Sequence, residues 1–126
     1  MKKLLGIGFI IILLASLTAC SVVSGLKSAP ETGNAFMQAL KDNDNTTSWN
    51  LLSQNIKDEV GSEAAWADFT EPRNFSDWAF TSTNIENSTA TLEGEATLGV
   101  DTYYITLIME ANGESWLITG IDITLK

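Results

Sequence analysis

The sequence predicts an α+β domain in which helices come first and a four-stranded antiparallel sheet follows. Up to about residue 70, the apolar residues recur with the period of an amphipathic helix. From residue 75 onward they alternate with polar residues, as in strands that bury one face. Short polar connectors separate the alternating segments and indicate hairpins. Because helices and strands are segregated along the chain, we expect the helices to pack on one face of a curved meander sheet.

The first predicted helix runs from about residue 30 to residue 41. Ser28 and Glu31 have the spacing of a capping box, and Pro30 lies where proline is favoured at a helix start. Phe36 and Leu40 belong to its apolar stripe. This helix is therefore expected to open the folded domain.

Two further helices are predicted from their capping residues. Thr46 or Thr47 is expected to cap a second helix, which Gly61 ends. Ser62 is expected to cap a short third helix over residues 63–69. The three helices together form the helical half of the domain.

Four strands are predicted in the second half of the chain. They are expected over residues 75–85, 89–98, 102–111 and 115–125. In the last strand the apolar positions change parity at Gly120, from Trp116 and Ile118 to Ile121 and Ile123. A glycine at a change of parity predicts a β-bulge there.

The N-terminus has the layout of a secretory signal. A basic start at residues 1–3 precedes an apolar run over residues 4–17 and then small residues. The stretch Leu17-Thr18-Ala19-Cys20 closely resembles the lipobox of bacterial lipoproteins. The resemblance implies cleavage before Cys20, a diacylglycerol thioether on its sulfur, and its new amino group as a site for a palmitate-type acyl chain. The implied organisation is a signal peptide over 1–19, a lipidated cysteine and short tether over 20–29, and one domain over 30–126.

An uncleaved transmembrane anchor and a plain secretory signal are the alternatives to the lipobox. The apolar run over residues 4–17 is shorter than the roughly 20 residues that span a bilayer. The sequence contains a single cysteine, Cys20, and an exposed unpaired thiol is a liability in an oxidising compartment. Because lipidation consumes that thiol, we expect Cys20 to anchor the protein in the cell membrane or outer membrane. The domain would then face the periplasm or the cell exterior.

The chain is acidic, with 7 basic and 16 acidic residues and a net charge of −9. The predicted signal peptide contains two of the lysines and no carboxylate, so the mature chain would carry −11. A nucleic-acid partner is not expected, because phosphate binding needs a basic surface.

The predicted domain resembles the nuclear transport factor 2-like superfamily, the α+β cone of ketosteroid isomerases. The resemblance lies in an opening helix around residues 34–40, an Asp-rich turn, a Trp/Leu helix, and Trp116-Leu117-Ile118 on the last strand. It is strongest for small secreted and lipid-anchored members with no known activity. It implies a pocket between helices and sheet, and the large side chains that would line it or fill it as core are Trp49, Trp66, Trp78, Phe80, Tyr103 and Trp116. We expect them to fill it.

Signals for catalysis are weak. The chain has 0 histidines, so the commonest general base and metal ligand is missing, and no metal or cofactor is predicted. Most strand carboxylates lie on polar positions and are expected to face solvent, while Asp101 is expected to support a turn; the set is Asp77, Glu93, Glu95, Asp101, Glu110 and Asp122. We therefore predict a non-catalytic binding or interaction module of the cell envelope, whose partner is an envelope protein or a small apolar ligand. The alternative is a divergent enzyme of the same cone that uses a pocket carboxylate with Tyr103 or Tyr104.

Overall fold

The computed structural model describes residues 28–126, which form helices packed on an antiparallel sheet. The predicted signal peptide, Cys20 and the predicted tether up to residue 27 lie outside the described residues. The elements in chain order are α1 Ala29–Asp42, α2 Asn45–Asn50, α3 Gln54–Val60, α4 Glu63–Thr70, a 3-10 turn Glu71–Arg73, β1 Asp77–Glu86, β2 Thr89–Leu98, β3 Asp101–Asn112 and β4 Ser115–Leu125. The predicted α+β class is confirmed.

Helix α1 begins with the predicted capping box. The Glu31 N–H donates to Ser28 Oγ at 3.2 Å, and the Ser28 N–H donates to Glu31 Oε1 at 2.9 Å. The helix starts at Ala29, one residue earlier than expected, and this alanine is fully buried. The last residue assigned to the tether therefore belongs to the folded domain. Asn43 ends the helix in the left-handed conformation, with a φ of 57°.

The prediction of one continuous second helix is wrong. Asp44, rather than Thr46 or Thr47, caps α2, and its Oδ1 accepts the Thr47 N–H at 3.2 Å. The chain then leaves the helical conformation and a separate helix, α3, begins at Gln54. Helical periodicity continues across the break, so the pattern of apolar residues did not reveal it.

A contact with the sheet causes this break. Leu52 forms a parallel bridge with Ile118 on the edge of β4. The Ile118 N–H donates to the Leu51 carbonyl, and the Ser53 N–H donates to the Ile118 carbonyl, both at 2.8 Å. Ser53 then caps α3. Backbone groups that would have bonded within a helix are satisfied by the sheet edge instead.

Helix α4 begins at its predicted cap and carries Trp66, a fully buried residue of the core. Gly61 ends α3 with a φ of 98°, and Ser62 caps α4, as predicted. On α4, Trp66 is 2% exposed, and its indole N–H donates to Ser48 Oγ at 2.8 Å. This buried hydrogen bond joins α4 to α2.

The sheet is a simple meander of order β1-β2-β3-β4. The expected bulge in β4 is confirmed, because Ile108 pairs with Gly120 and Met109 with Ile118, which leaves Thr119 as the extra residue. The first strand begins at Asp77 instead of Phe75, and Phe75 is a buried core residue that precedes it.

A second bulge, in β1, was not predicted. Phe80 pairs with Gly94 and Ser82 with Glu93, so Thr81 has no partner in β2. A Cβ on Gly94 would lie 2.0 Å from the Ala79 carbonyl oxygen, so the strands approach closely here because position 94 is glycine. Since bulges bend the strands that contain them, the two together curve the sheet around the helices.

The core lies between the helices and the inner face of the sheet. Its largest fully buried side chains include Trp66, Phe36, Phe75, Leu92 and Leu107. Within residues 28–126, every buried side-chain nitrogen and oxygen has a hydrogen-bond partner. In the same part of the chain, no helix combines the length and apolar character needed to cross a bilayer.

Candidate functional site

Trp66 is the one fully buried member of the six predicted lining residues. Its ring centroid lies 5.3 Å from that of Phe69, in a stacked arrangement, and 6.1 Å from that of Phe36. The other five are half-buried and pack against the core cluster: Trp49, Trp78, Phe80, Tyr103 and Trp116.

The half-buried aromatic residues reach the core from different directions. The Trp78 indole N–H donates to Asn34 Oδ1 at 2.9 Å and so joins β1 to α1. Tyr103 meets Phe75 edge to face, with ring centroids 5.7 Å apart. Trp116 lies near the hairpin that connects β3 and β4. The structure therefore does not bring the six residues together around one cavity.

Tyr103 does reach a cleft, which lies where the 3-10 turn meets the ends of β2, β3 and β4. The cleft has a volume of about 250 Å³ and is lined by Pro72, Arg73, Phe75, Leu98, Tyr103 and Ile123. The Arg73 guanidinium lies 4.0 Å from the ring centroid of Phe69 and donates to the Phe69 carbonyl at 2.7 Å. Apolar walls with one guanidinium and one phenol suit a small apolar molecule that carries a hydrogen-bonding group.

A second cleft lies where β4 faces α3 and α4. It measures about 340 Å³ and is lined by Ile56, Glu59, Val60, Trp66, Phe69, Thr119, Gly120 and Ile121. Past the Leu52 bridge at Ile118, no strand in the described part of the chain pairs with the outer edge of β4. The second cleft therefore lies along the edge of the sheet, whereas the first lies at the ends of the strands.

The strand carboxylates do not line either space. All six are exposed, as the alternation predicted: Asp77, Glu93, Glu95, Asp101, Glu110 and Asp122. Between residues 28 and 126, no three or more acidic, histidine or cysteine side chains are grouped closely enough to hold a metal ion. Five of them instead give the outer face of the sheet, the face opposite the helices, its charge, whereas Asp101 pairs with Leu98 beside the β2–β3 turn.

Two large side chains lie on this outer face, of which the sequence analysis named only Tyr104, as a partner of a pocket carboxylate. Tyr104 is 49% exposed and Ile108 is 40% exposed. The sequence did indicate apolar residues on both faces of β3, because this strand carries large apolar residues on both of its alternating sets of positions.

One ion pair lies at the end of the outer face. Lys126 Nζ lies 3.1 Å from Glu95 Oε2 and 5.9 Å from the ring centroid of Tyr104. The hydrogen bond to Glu95, followed by the charge of that carboxylate, raises the pKa of Lys126 above its ordinary value. Since both side chains are about half exposed, the pair adds little to stability.

The fold and surface define a small helix-on-sheet α+β domain. No protein-family model and no curated protein sequence matches the chain. Its structure is similar to the crystal structure of a DUF4783 family protein from Bacteroides uniformis, with a TM-score of 0.56 and 9% identity over 74% of this chain and 95% of that chain. It is also similar to the crystal structure of a protein from Sphaerobacter thermophilus, with a TM-score of 0.51 and 16% identity over 79% and 96%. At these identities the similarity shows the fold alone.

Proposed function

We propose that the protein is a lipid-anchored lipoprotein of the cell envelope whose domain is a non-catalytic interaction module. The observation that carries the proposal is the aromatic core between helices and sheet, with the two clefts at its margins. Trp66 and its neighbours occupy the position where the enzymes of a cone fold would need a pocket, and the strand carboxylates are exposed and line neither cleft. The finer assignment to the nuclear transport factor 2-like superfamily is supported by the order of elements and by the two bulges that curve the sheet.

The enzyme alternative has less support. It needs a carboxylate near a tyrosine inside a pocket. The cleft that contains Tyr103 is lined by one cation, Arg73, and by no carboxylate. Tyr104 lies with Glu93 and Glu95 in an exposed depression of about 330 Å³ on the outer face, where water would compete with any proton transfer.

The anchor is tested on the full chain in the producing bacterium with a clickable fatty acid. We expect wild type to be labelled and to sediment with membranes, and Cys20→Ser to lose the label and either enter the soluble fraction or stay uncleaved. Ser21→Ala is the matched control, because it changes the neighbouring residue and keeps the cysteine. An unlabelled wild-type protein would contradict the anchor, whatever the domain binds.

The module is tested by binding at the first cleft, at the ends of β2, β3 and β4. Ile123 lines the first cleft, and Ile123→Asp would place a charge against its apolar walls. We expect this variant, if folded by circular dichroism, to reduce the binding of a hydrophobic dye such as 8-anilinonaphthalene-1-sulfonate. Ile85→Asp is the control, because Ile85 is 50% exposed and pairs with Ala90, at the opposite end of β2 from Leu98 of the cleft. Equal dye binding by all three proteins would remove the cleft from the proposal.

A further inference from the structure

The outer face of the sheet carries an apolar stripe that no described residue covers. Tyr104 and Ile108 lie on this face of β3, with Thr106 between them. Ile108 is opposite Gly120, which has no side chain to shield it, and a Cβ at position 120 would lie 3.3 Å from the Ile108 side chain. Two large side chains therefore project from a surface otherwise rich in threonine.

Carboxylates lie on both sides of this stripe. Glu93 on β2 and Asp122 on β4 both pair with Thr106 of β3, one from each side. Glu95 pairs with Tyr104. The cation beside them, Lys126, is already paired with Glu95 at 3.1 Å. Solvated sheet faces commonly mix both signs of charge, whereas on this face Glu93 and Asp122 have no cationic partner among residues 28–126.

We propose that this face docks a cationic amphipathic helix of a partner protein. Two apolar side chains of that helix would pack against Tyr104 and Ile108, and its lysines or arginines would lie against Glu93 and Asp122. Four residues along a strand span about 13 Å, and two helix positions two turns apart are separated by about 11 Å. The inference rests on the proposed role as an interaction module and names the class of its partner, but it does not depend on the lipid anchor.

The charge of the face argues against other occupants. A second copy docked by the same face would oppose Glu93 and Asp122 to their own counterparts. An anionic bilayer surface and a nucleic acid would repel the same carboxylates. A basic helix would instead be attracted by both carboxylates, Glu93 and Asp122. We therefore assign the face to such a helix.

The test uses the full chain in discs of phosphatidylcholine, with discs that lack the protein as background. The probe is a fluorescent alanine–lysine helix that carries two leucines two turns apart, and its affinity is measured by anisotropy at low and at physiological salt. We expect Glu93→Lys/Asp122→Lys to weaken binding about tenfold or more. Asp58→Lys/Asp68→Lys, the helix variant, makes the same change in net charge at two exposed positions on α3 and α4 that line neither cleft, and should retain most of the affinity.

A third variant tests the apolar half of the surface. Ile108→Thr keeps a β-branched side chain in the strand and is expected to weaken binding about threefold or more at physiological salt. Equal losses in the helix variant and the outer-face variant would show attraction to net charge alone and overturn the inference. No loss in Ile108→Thr, or no binding by wild type, would overturn it as well.

Two checks keep these outcomes separate from misfolding and from the anchor. If Glu93→Lys/Asp122→Lys does not give a native circular dichroism spectrum, Glu93→Gln/Asp122→Asn replaces it, with the same direction of change expected. Sedimentation that reveals a dimer dissociated by Ile108→Thr would assign the face to a second copy and overturn the inference. Cys20→Ser should leave probe binding unchanged, so failure of the anchor and failure of the docking face are distinguishable.

Discussion

Removing the Ser48 hydroxyl should destabilise the domain more than the loss of one small atom suggests. Ser48 is 1% exposed, and its Oγ accepts the indole N–H of Trp66 at 2.8 Å while donating to the Asn45 carbonyl at 3.2 Å. Ser48→Ala leaves the Trp66 N–H buried without an acceptor, which costs about 1–3 kcal/mol. Because serine and alanine differ by one oxygen, the cavity contribution is small, and we expect the free energy of unfolding to fall by about 2 kcal/mol.

The assay is urea unfolding of the full chain in mild detergent, followed by circular dichroism. Ser82→Ala is the matched control, because Ser82 is exposed on β1, and it should change stability by less than about 0.5 kcal/mol. Ser48→Ala/Trp66→Phe removes both partners, so it should cost less than the sum of the single changes. The reasoning would be refuted if Ser48→Ala behaved like Ser82→Ala at unchanged m-value.

Three further expectations follow from single contacts. Gly94→Ala should destabilise the sheet strongly, because its Cβ would lie 2.0 Å from the Ala79 carbonyl oxygen, and the loss is measured as a lower melting temperature. Trp116→Ala should cost about 3 kcal/mol in urea unfolding, at the lower end of the range for a large core aromatic, because Trp116 packs against the core cluster but is partly exposed. Glu95→Gln should lower the pKa of Lys126 in an NMR titration; since the Glu95 contact raises that pKa, its small stabilisation is complete at neutral pH and lost only in strongly alkaline solution.

Features that depend on neighbouring residues were predictable from the sequence. The capping box at Ser28 and Glu31 and the cap at Ser62 involve side chains that bond to backbone groups three residues away. The bulge at Gly120 was visible because a strand alternates with a fixed period of two, so a change of parity has few other causes. The same alternation placed Glu93 and Asp122 on the exposed face.

The candidate sites were less accessible to this reasoning. The aromatic residues were identified as core or lining, but a list of large side chains does not say which of them share a cavity. In the structure, Tyr103 shares a cleft with Arg73 of the 3-10 turn and Ile123 of β4. Tyr104 and Ile108 are large side chains at positions of β3 where the alternation would place polar residues. Their exposure, however, depends on whether another segment covers that face.

The sequence by itself determined the order and type of the elements, because caps, turns and alternation act over a few residues. Only the tertiary structure decided where the second predicted helix breaks. Leu52 pairs with Ile118, which lies far along the chain, and the backbone hydrogen bonds made there replace helical ones. The bulge opposite Gly94 likewise depends on two strands meeting closely. Such contacts produce no periodic pattern in the sequence, because they join segments that meet only when the domain has folded.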